Sequence, residues 1–244
     1  MRRLLPGLAA LGAGALLAGC GGSSHSSSST TGTAGSSPPS LTQAQAVAIA
    51  RAVNLQPADV AGFKAIPPSG SETAQEKALS RELEKCAHAA GEAHKLAEAK
   101  SDEFKRAVRG LPQEVSSSVS IEQSPAYAEQ DLKAIRSPRG QSCIVKLVNS
   151  ALKAKNLGGA KAGAASISEG TPPAAGTNGA FGIRLDVPIT VQGVTVQAYF
   201  DFLGFVHGSE EVTLQSIGVN QPFPAATQEH LYGELVAHAR VHPA

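Results

Sequence analysis

The most regular hydrophobic pattern in the chain is a two-residue alternation that runs from Phe181 to Leu214. Turn residues interrupt it at 192–193 and 208–209, so we predict antiparallel strands joined by short connections. Five of the seven phenylalanines fall in or just after this stretch, and we therefore expect the core to be centred on this sheet. The alternating apolar positions are Phe181, Ile183, Leu185, Val187, Val194, Val196, Ala198, Phe200, Phe202, Val212 and Leu214.

Helical periodicity marks the segments on either side of this sheet. Apolar residues recur three or four positions apart after a capping box at Thr42 and Gln45, and again before the C-terminus, after Pro224. Ser124-Pro125 combines a capping hydroxyl with a proline at the first helical position and predicts another helix start. The same signal at Ser137-Pro138 predicts either a kink or a further helix.

The order of these elements indicates the fold class. Two helices precede a strand over residues 116–122, two helical segments follow, and the antiparallel strands and a closing helix complete the chain. Such an order is typical of an α+β domain and not of a doubly wound parallel sheet. We predict one domain over residues 41–244, in which an antiparallel sheet has its helices packed on one face.

The N-terminal residues resemble a lipoprotein signal peptide. Two arginines precede an apolar run of about 15 residues, which is shorter than the roughly 20 needed to span a bilayer. The run ends in Leu17-Ala18-Gly19-Cys20, which resembles the lipobox of bacterial lipoproteins. We therefore predict a signal peptide over 1–19 and lipidation of Cys20; a retained transmembrane anchor and a twin-arginine export signal are the weaker alternatives.

Residues 20–40 are predicted to be a lipid-anchored, flexible linker. They are rich in Ser, Thr and Gly and contain no large apolar residue, so they cannot pack into a core. The fold is thus expected to be preceded by a signal peptide and this disordered linker, and the bilayer is expected to be a partner through Cys20.

The cysteine count predicts a disulfide. The chain has three cysteines, and lipidation of Cys20 leaves Cys86 and Cys143 as an even pair in a compartment that permits oxidation. Cys86 shares an apolar helical stripe with Leu79 and Leu83, which directs it toward the core. We predict a bond between Cys86 and Cys143; the alternative is two buried free thiols in separate helices.

The balance of charged residues argues against nucleic acid and strongly anionic surfaces as partners. Lys and Arg number 21 and Asp and Glu number 20, so a net charge of +1 favours neither nucleic acid nor a strongly anionic surface. Over residues 91–110 the charges are dense but mixed in sign, and we interpret that stretch as a solvated face. Asp201 alternates with Phe200 and Phe202 and is expected to face solvent; alternatively it lines a cleft beside Tyr199.

No pattern of catalytic residues stands out. The chain contains no G-x-S-x-G nucleophile elbow and no phosphate-binding glycine loop, so we predict no catalytic residue and no cofactor. His230, His238 and His242 share a helical spacing that a metal site would use, but no acidic or thiolate residue has matching spacing in the sequence. We interpret His238 and His242 as cations at a helix C-terminus and assign no metal ligand.

Three segments together resemble a known group of proteins. They are the turn from Val53-Asn54-Leu55 to Phe63, the Ser-rich strand before Ser124-Pro125, and the end from Tyr199-Phe200-Asp201 to Pro222-Phe223-Pro224. Their order resembles uncharacterised actinobacterial lipoproteins and, more distantly, the extracellular sensor-like domains of mycobacterial kinases and PsbP-like lipoprotein domains.

The resemblance implies a ligand-sensing or accessory module at the cell envelope. We therefore expect a lipoprotein, carrying palmitate or another acyl chain, on the extracytoplasmic face of the cell membrane. Its domain is expected to bind a small molecule or an envelope component without catalysis and without nucleic acid. A cell-envelope hydrolase and a purely structural envelope protein are the alternatives.

Overall fold

A computed structural model describes residues 41–68, 74–154 and 159–244. The predicted signal peptide, Cys20 and the linker over 20–40 lie outside the described residues. Within the described ranges, no helix is both long enough and apolar enough to cross a membrane.

Five α-helices and nine strands make up the described part of the chain. The helices are α1 Gln43–Val53, α2 Ala74–Ala87, α3 Pro125–Arg136, α4 Pro138–Ala154 and α5 Ala225–Val241, with a 3₁₀ turn at Glu92–His94. The strands are β1 Lys64–Ile66, β2 Lys95–Lys100, β3 Glu103–Val108, β4 Leu111–Glu122, β5 Lys161–Ala162, β6 Ser166–Gly170, β7 Gly179–Val191, β8 Val194–His207 and β9 Glu210–Val219. Ser137-Pro138 thus begins a separate helix, because Pro138 can occupy a first helical turn but not a helix interior.

All the strand pairs are antiparallel and belong to one sheet. The hydrogen-bonded order is β1-β3-β4-β9-β8-β7-β5, with β2 also pairing with β4 and β6 also pairing with β7. The long hairpin of β7 and β8 turns at Gln192 and Gly193, both of which have positive φ. The predicted α+β class with an antiparallel sheet is confirmed.

The helices cover both faces of the sheet, so the prediction that they pack on one face is wrong. Phe205 and Val206 are neighbours on β8 and point to opposite sides. Phe205 packs edge-on against Tyr232 of α5, with ring centroids 5.6 Å apart, in the same core cluster as α1. Val206 packs with Ala128 and Leu132 of α3. Since adjacent strand residues are both buried, each face needs its own layer of helices.

The predicted disulfide is present. Cys86 near the end of α2 is bonded to Cys143 in α4, and their Cα atoms are 5.9 Å apart. The bond fastens α2 to α4, which lies over the β6–β8 part of the sheet through Ile144 and Leu152. The alternative of two free thiols is therefore wrong for this structure.

Asp201 does not face solvent, contrary to the expectation from alternation. It is 3% exposed and forms a two-point ion pair with Arg184 on the neighbouring strand, at 2.5 Å from Nε to Oδ1 and 3.1 Å from Nη2 to Oδ2. Cross-strand pairing in the register Arg184 to Asp201 places the two side chains on the same face. The pair compensates for the burial of the carboxylate, as a buried charge requires.

Candidate functional site

An acidic cluster lies beneath α3, at one end of β4. We use the name for Glu122, the last residue of β4, Glu211, the second residue of β9, and Asp131, in the middle of α3. One carboxylate oxygen from each residue lies within 4.8 Å of the other two. Glu211 pairs with Ser120, two residues before Glu122, so the strand register places both glutamates on the face that α3 covers.

Lys95 on β2 belongs to the same neighbourhood but is already paired. Its Nζ lies 2.6 Å from Glu92 Oε1 and 3.0 Å from Glu98 Oε2, and its side chain is 5% exposed. Burial lowers the pKa of Lys95, but the attraction of Glu98 and Glu92 outweighs burial and raises it. The interpretation of residues 91–110 as a solvated face is wrong here, because β2 and β3 form strands whose charges pair with one another.

Proximity and burial make the acidic cluster hard to ionise. Burial raises the pKa of Glu122 to about 7; the charge of Lys95 opposes this effect, and the charges of Asp131, Glu92 and Glu98 add to it. Burial also raises the pKa of Glu211 well above its ordinary value, and the charges of Asp131 and Glu122 add to it. The pKa of Asp131 is raised, again chiefly by burial. In the absence of a bound cation, the cluster therefore holds protons near neutral pH.

Two oxygens of the cluster have no hydrogen-bond partner among the described residues. They are Glu122 Oε2 and Glu211 Oε1, both of which are inaccessible to solvent. Asp131 is better satisfied, because its Oδ1 accepts the Ala90 N–H at 2.5 Å and it shares a side-chain hydrogen bond with Glu211. A buried carboxylate oxygen needs a partner, which can be a proton, a water molecule or a cation.

A second feature, which we name the α5 groove, lies on the opposite side of the sheet. It is an open depression between the turn after α1, the middle of β3 and the first two turns of α5. The lining residues are Asp59, Val60, Ala61, Phe63, Arg106, Ala226, Thr227, His230 and Leu231. Thr227, His230 and Leu231 share one helical face, which explains why a single helix contributes so much of the wall.

Arg106 is the distinctive residue of the α5 groove. Its guanidinium carbon lies 4.2 Å from the centre of the Phe63 ring, and its Nε donates to Gln113 Oε1 at 2.8 Å. Gln113 lies directly opposite Arg106 on β4, so the pairing register holds the guanidinium in place. Among the described residues no carboxylate forms an ion pair with Arg106, whereas neighbouring Lys105 pairs with two glutamates.

The histidines of α5 separate in the structure. His238 Nδ1 lies 3.3 Å from the Val53 carbonyl oxygen, and its Nε2 lies 4.0 Å from Asp59 Oδ1. Asp59, Glu234 and His238 each offer one ligand atom within 4.8 Å of the others. Glu234 lies four residues before His238, so the prediction that no acidic residue has matching spacing is wrong, whereas Asp59 comes from another segment. His230 instead contacts Glu234 at 3.6 Å, and His242 is exposed.

The hydrogen-bond pattern shows no nucleophile with an adjacent base. Across residues 41–68, 74–154 and 159–244, no Ser, Thr or Cys side chain hydrogen-bonds to a histidine. His94 stacks on Tyr127 with ring centres 3.7 Å apart, and His207 contacts Glu210. Tyr199, beside which a cleft was the alternative prediction for Asp201, is half-buried, while Asp201 is paired with Arg184.

Sequence reasoning missed the acidic cluster for a simple reason. Its residues come from β4, α3 and β9, so no spacing along the chain reveals them. The β9 alternation does not reveal Glu211 either, because the acidic residue in phase with Val212 and Leu214 is Glu210, which points to the opposite face of the sheet. No local signal marks Asp131.

Comparison with known proteins adds no relative to this description. No protein-family model matches the chain, and no curated protein and no solved structure matches it. The functional argument therefore depends on the residues themselves.

Proposed function

We propose that the protein is a lipoprotein, anchored by Cys20 in the cell membrane, whose extracytoplasmic domain binds a ligand in the α5 groove without catalysing a reaction. The ligand has an apolar body and one anionic group. The observation that carries the proposal is the Arg106 guanidinium, held over Phe63 in an open groove without a carboxylate partner in the part of the chain that the structure describes.

The chemistry of the groove suits such a ligand. An arginine that stacks on an aromatic ring is held rigidly, and its remaining N–H groups match the geometry of a carboxylate, sulfonate or phosphate. Val60, Phe63 and Leu231 supply the apolar wall. Asp59 lies at the wall of the same groove and repels a second anionic group, so it favours a ligand with its charge at one end only.

Two features support the extracytoplasmic location. The Cys86–Cys143 bond is of the kind that persists in oxidising compartments and is rare in reducing ones. The apolar run before Cys20 is too short for a stable membrane span but suits a cleaved signal peptide. The resemblance to envelope lipoproteins agrees with both and remains a prediction.

The first experiment tests ligand binding with a defined probe. The full chain is reconstituted in lipid nanodiscs and titrated calorimetrically with naphthalene-2-sulfonate, which combines an apolar ring system and one anion; empty nanodiscs give the background. We expect saturable binding that Arg106→Gln weakens about tenfold, since a charge-assisted hydrogen bond is worth about 1.5–3 kcal/mol. Arg109→Gln is the matched control, because Arg109 lies three residues away in an exposed turn outside the groove.

Equal binding by the wild type and Arg106→Gln would contradict the groove assignment, as would equal weakening by Arg109→Gln. A second experiment tests the anchor. Metabolic labelling with an alkyne palmitate should mark the wild type, and Cys20→Ala should lose the label and the lipid-modified mass. Labelling that persists in Cys20→Ala would contradict the lipoprotein assignment without affecting the groove.

A further inference from the structure

We propose that the acidic cluster of Glu122, Asp131 and Glu211 is a calcium site that ties α3 to the ends of β4 and β9. The α5 groove lies on the other face of the sheet, so this site is separate from the proposed ligand groove.

The geometry of the cluster fits one cation. When three oxygens lie no more than 4.8 Å apart, a point exists within about 2.8 Å of all three, and Ca–O distances of 2.3–2.6 Å need only a small contraction. All three ligands are oxygens, which suits a hard divalent cation and not a metal that prefers thiolate or imidazole. Mg²⁺ prefers to keep several waters, whereas Ca²⁺ accepts protein carboxylates in irregular geometry, so a buried site favours Ca²⁺.

Glu122 is buried without a hydrogen-bond partner among the described residues for one of its oxygens, and this observation points to a ligand separately from the clustering of three acidic residues. The residue is 2% exposed, and its Oε2 has no hydrogen-bond partner in the described residues. One proton shared by Asp131 and Glu211 leaves Glu122 without a partner, whereas a second proton, on Glu122, is the competing explanation that the pH measurement below tests. A cation coordinated by all three carboxylates satisfies the Glu122 and Glu211 oxygens together.

The surrounding charges leave the cluster short of positive partners. Lys95 is the nearest amine, and both of its close contacts are to Glu92 and Glu98. Glu84 of α2 also lies near, and its pKa is raised by burial first and by Glu92 next. His94 is the remaining cationic group that acts on Asp131, and its ring is stacked on Tyr127. A divalent cation would offset this excess of carboxylates.

The three residues of the cluster differ in burial. Asp131 and Glu211 are half-buried, whereas Glu122 is fully buried. Binding restrains α3, which otherwise packs on this part of the sheet mainly through Ala128 and Leu132.

The test uses the full chain in nanodiscs, treated with chelator and then titrated with Ca²⁺ alone. We expect calorimetric binding near one Ca²⁺ per chain. We also expect Tm to rise by about 5 °C or more at a hundredfold excess over Kd, the shift that mass action gives for a domain of this size. Glu122→Gln and Glu211→Gln should each weaken Ca²⁺ binding at least tenfold.

The matched control is Glu129→Gln. Glu129 lies on α3 two residues before Asp131, but its side chain is 41% exposed and points to Lys133 and Asn178. This variant should bind Ca²⁺ like the wild type, and so should Arg106→Gln of the groove. Because the glutamine variants remove one of several mutually repelling charges, they should fold without calcium.

Three results would overturn the proposal. One is a wild type whose Tm is unchanged by Ca²⁺, Mg²⁺ and Mn²⁺ but rises as the pH falls, which would mean that protons alone fill the cluster. Another is a Ca²⁺ shift that Glu122→Gln and Glu211→Gln both retain, which would place the ion elsewhere, for example at Asp59 and Glu234. The third is a preference for Zn²⁺ over Ca²⁺, which would exclude a site made of these oxygens.

Discussion

Glu210 offers the sharpest prediction about stability, because it is an acidic residue in the core whose pKa is raised by burial and lowered only in part by the backbone of Ala244. It is the first residue of β9, it is 0% exposed, and neither of its carboxylate oxygens has a hydrogen-bond partner among the described residues. The nearest basic group is His207 Nδ1, 3.6 Å from Oε2. The perturbation we consider is Glu210→Gln, which keeps the shape of the side chain and removes the charge.

The size of the expected loss of stability follows from the pKa of Glu210. Burial raises the pKa of Glu210 from its ordinary value of 4.5 to about 8. Below about pH 4.5 the carboxyl is neutral in both the folded and the unfolded chain, so it adds no pH dependence. Between about 4.5 and 8 the unfolded chain releases the proton and the folded chain keeps it, so stability falls as the pH rises. Since each pKa unit is worth about 1.4 kcal/mol, the full loss is about 5 kcal/mol.

The assay is urea unfolding of the wild type and of Glu210→Gln at about pH 4 and about pH 9, which bracket this window. Over this pH range, we expect the free energy of unfolding of the wild type to fall by about 5 kcal/mol more than that of the variant. Other buried carboxylates, such as Glu122, titrate in both proteins, so the difference between the two proteins isolates Glu210. A glutamine amide left unpaired costs about 1–3 kcal/mol, but this offset does not change with pH.

The matched control is Glu229→Gln, which removes an exposed carboxylate from α5. This variant should follow the wild-type pH dependence. The reasoning is refuted if Glu210→Gln also runs parallel to the wild type, because Glu210 would then be ionised in the folded protein at neutral pH.

Three other perturbations, one reduction and two substitutions, test the core and its cross-links. Reducing the Cys86–Cys143 bond should lower the free energy of unfolding by about 4 kcal/mol for a loop of this length, measured by urea unfolding with and without reductant; no change would mean that the thiols are not bonded. Leu235→Ala removes a 0% exposed side chain of α5 and should cost about 2–5 kcal/mol by the same assay, whereas a loss under 1 kcal/mol would contradict its place in the core. Arg184→Met leaves buried Asp201 without its ion pair and should cost about 2 kcal/mol at neutral pH by the same assay, whereas an unchanged free energy of unfolding would contradict a stabilising role for the pair.

The elements themselves could be predicted well because their signals are local. A capping box at Thr42 and Gln45 does begin α1, and the proline at 138 does begin α4. The alternation after Phe181 forms β7, β8 and β9. Residues 91–110 were the main failure, because their mixed charges suggested exposure while the cross-strand pairing of Lys105 with Glu114 lets such charges lie within a sheet.

The placement of the helices could have been inferred from one further pattern. Phe202-Leu203 and Phe205-Val206 are pairs of adjacent apolar residues within β8, and adjacent residues of a strand face opposite sides. Such a run is typical of a strand that is buried on both faces. Alternation alone emphasises one face and so led to the prediction of a single helical layer.

The sequence by itself determined the helices, the strand alternation and the disulfide partners, because each depends on short-range periodicity or on the number of cysteines. Only the tertiary structure decided which charges meet. The acidic cluster joins Glu122, Asp131 and Glu211 from three elements, and the α5 groove places Arg106 of β3 beside a helix that begins more than a hundred residues later. Pairing register and helix packing bring these groups together, and neither leaves a fixed spacing along the chain.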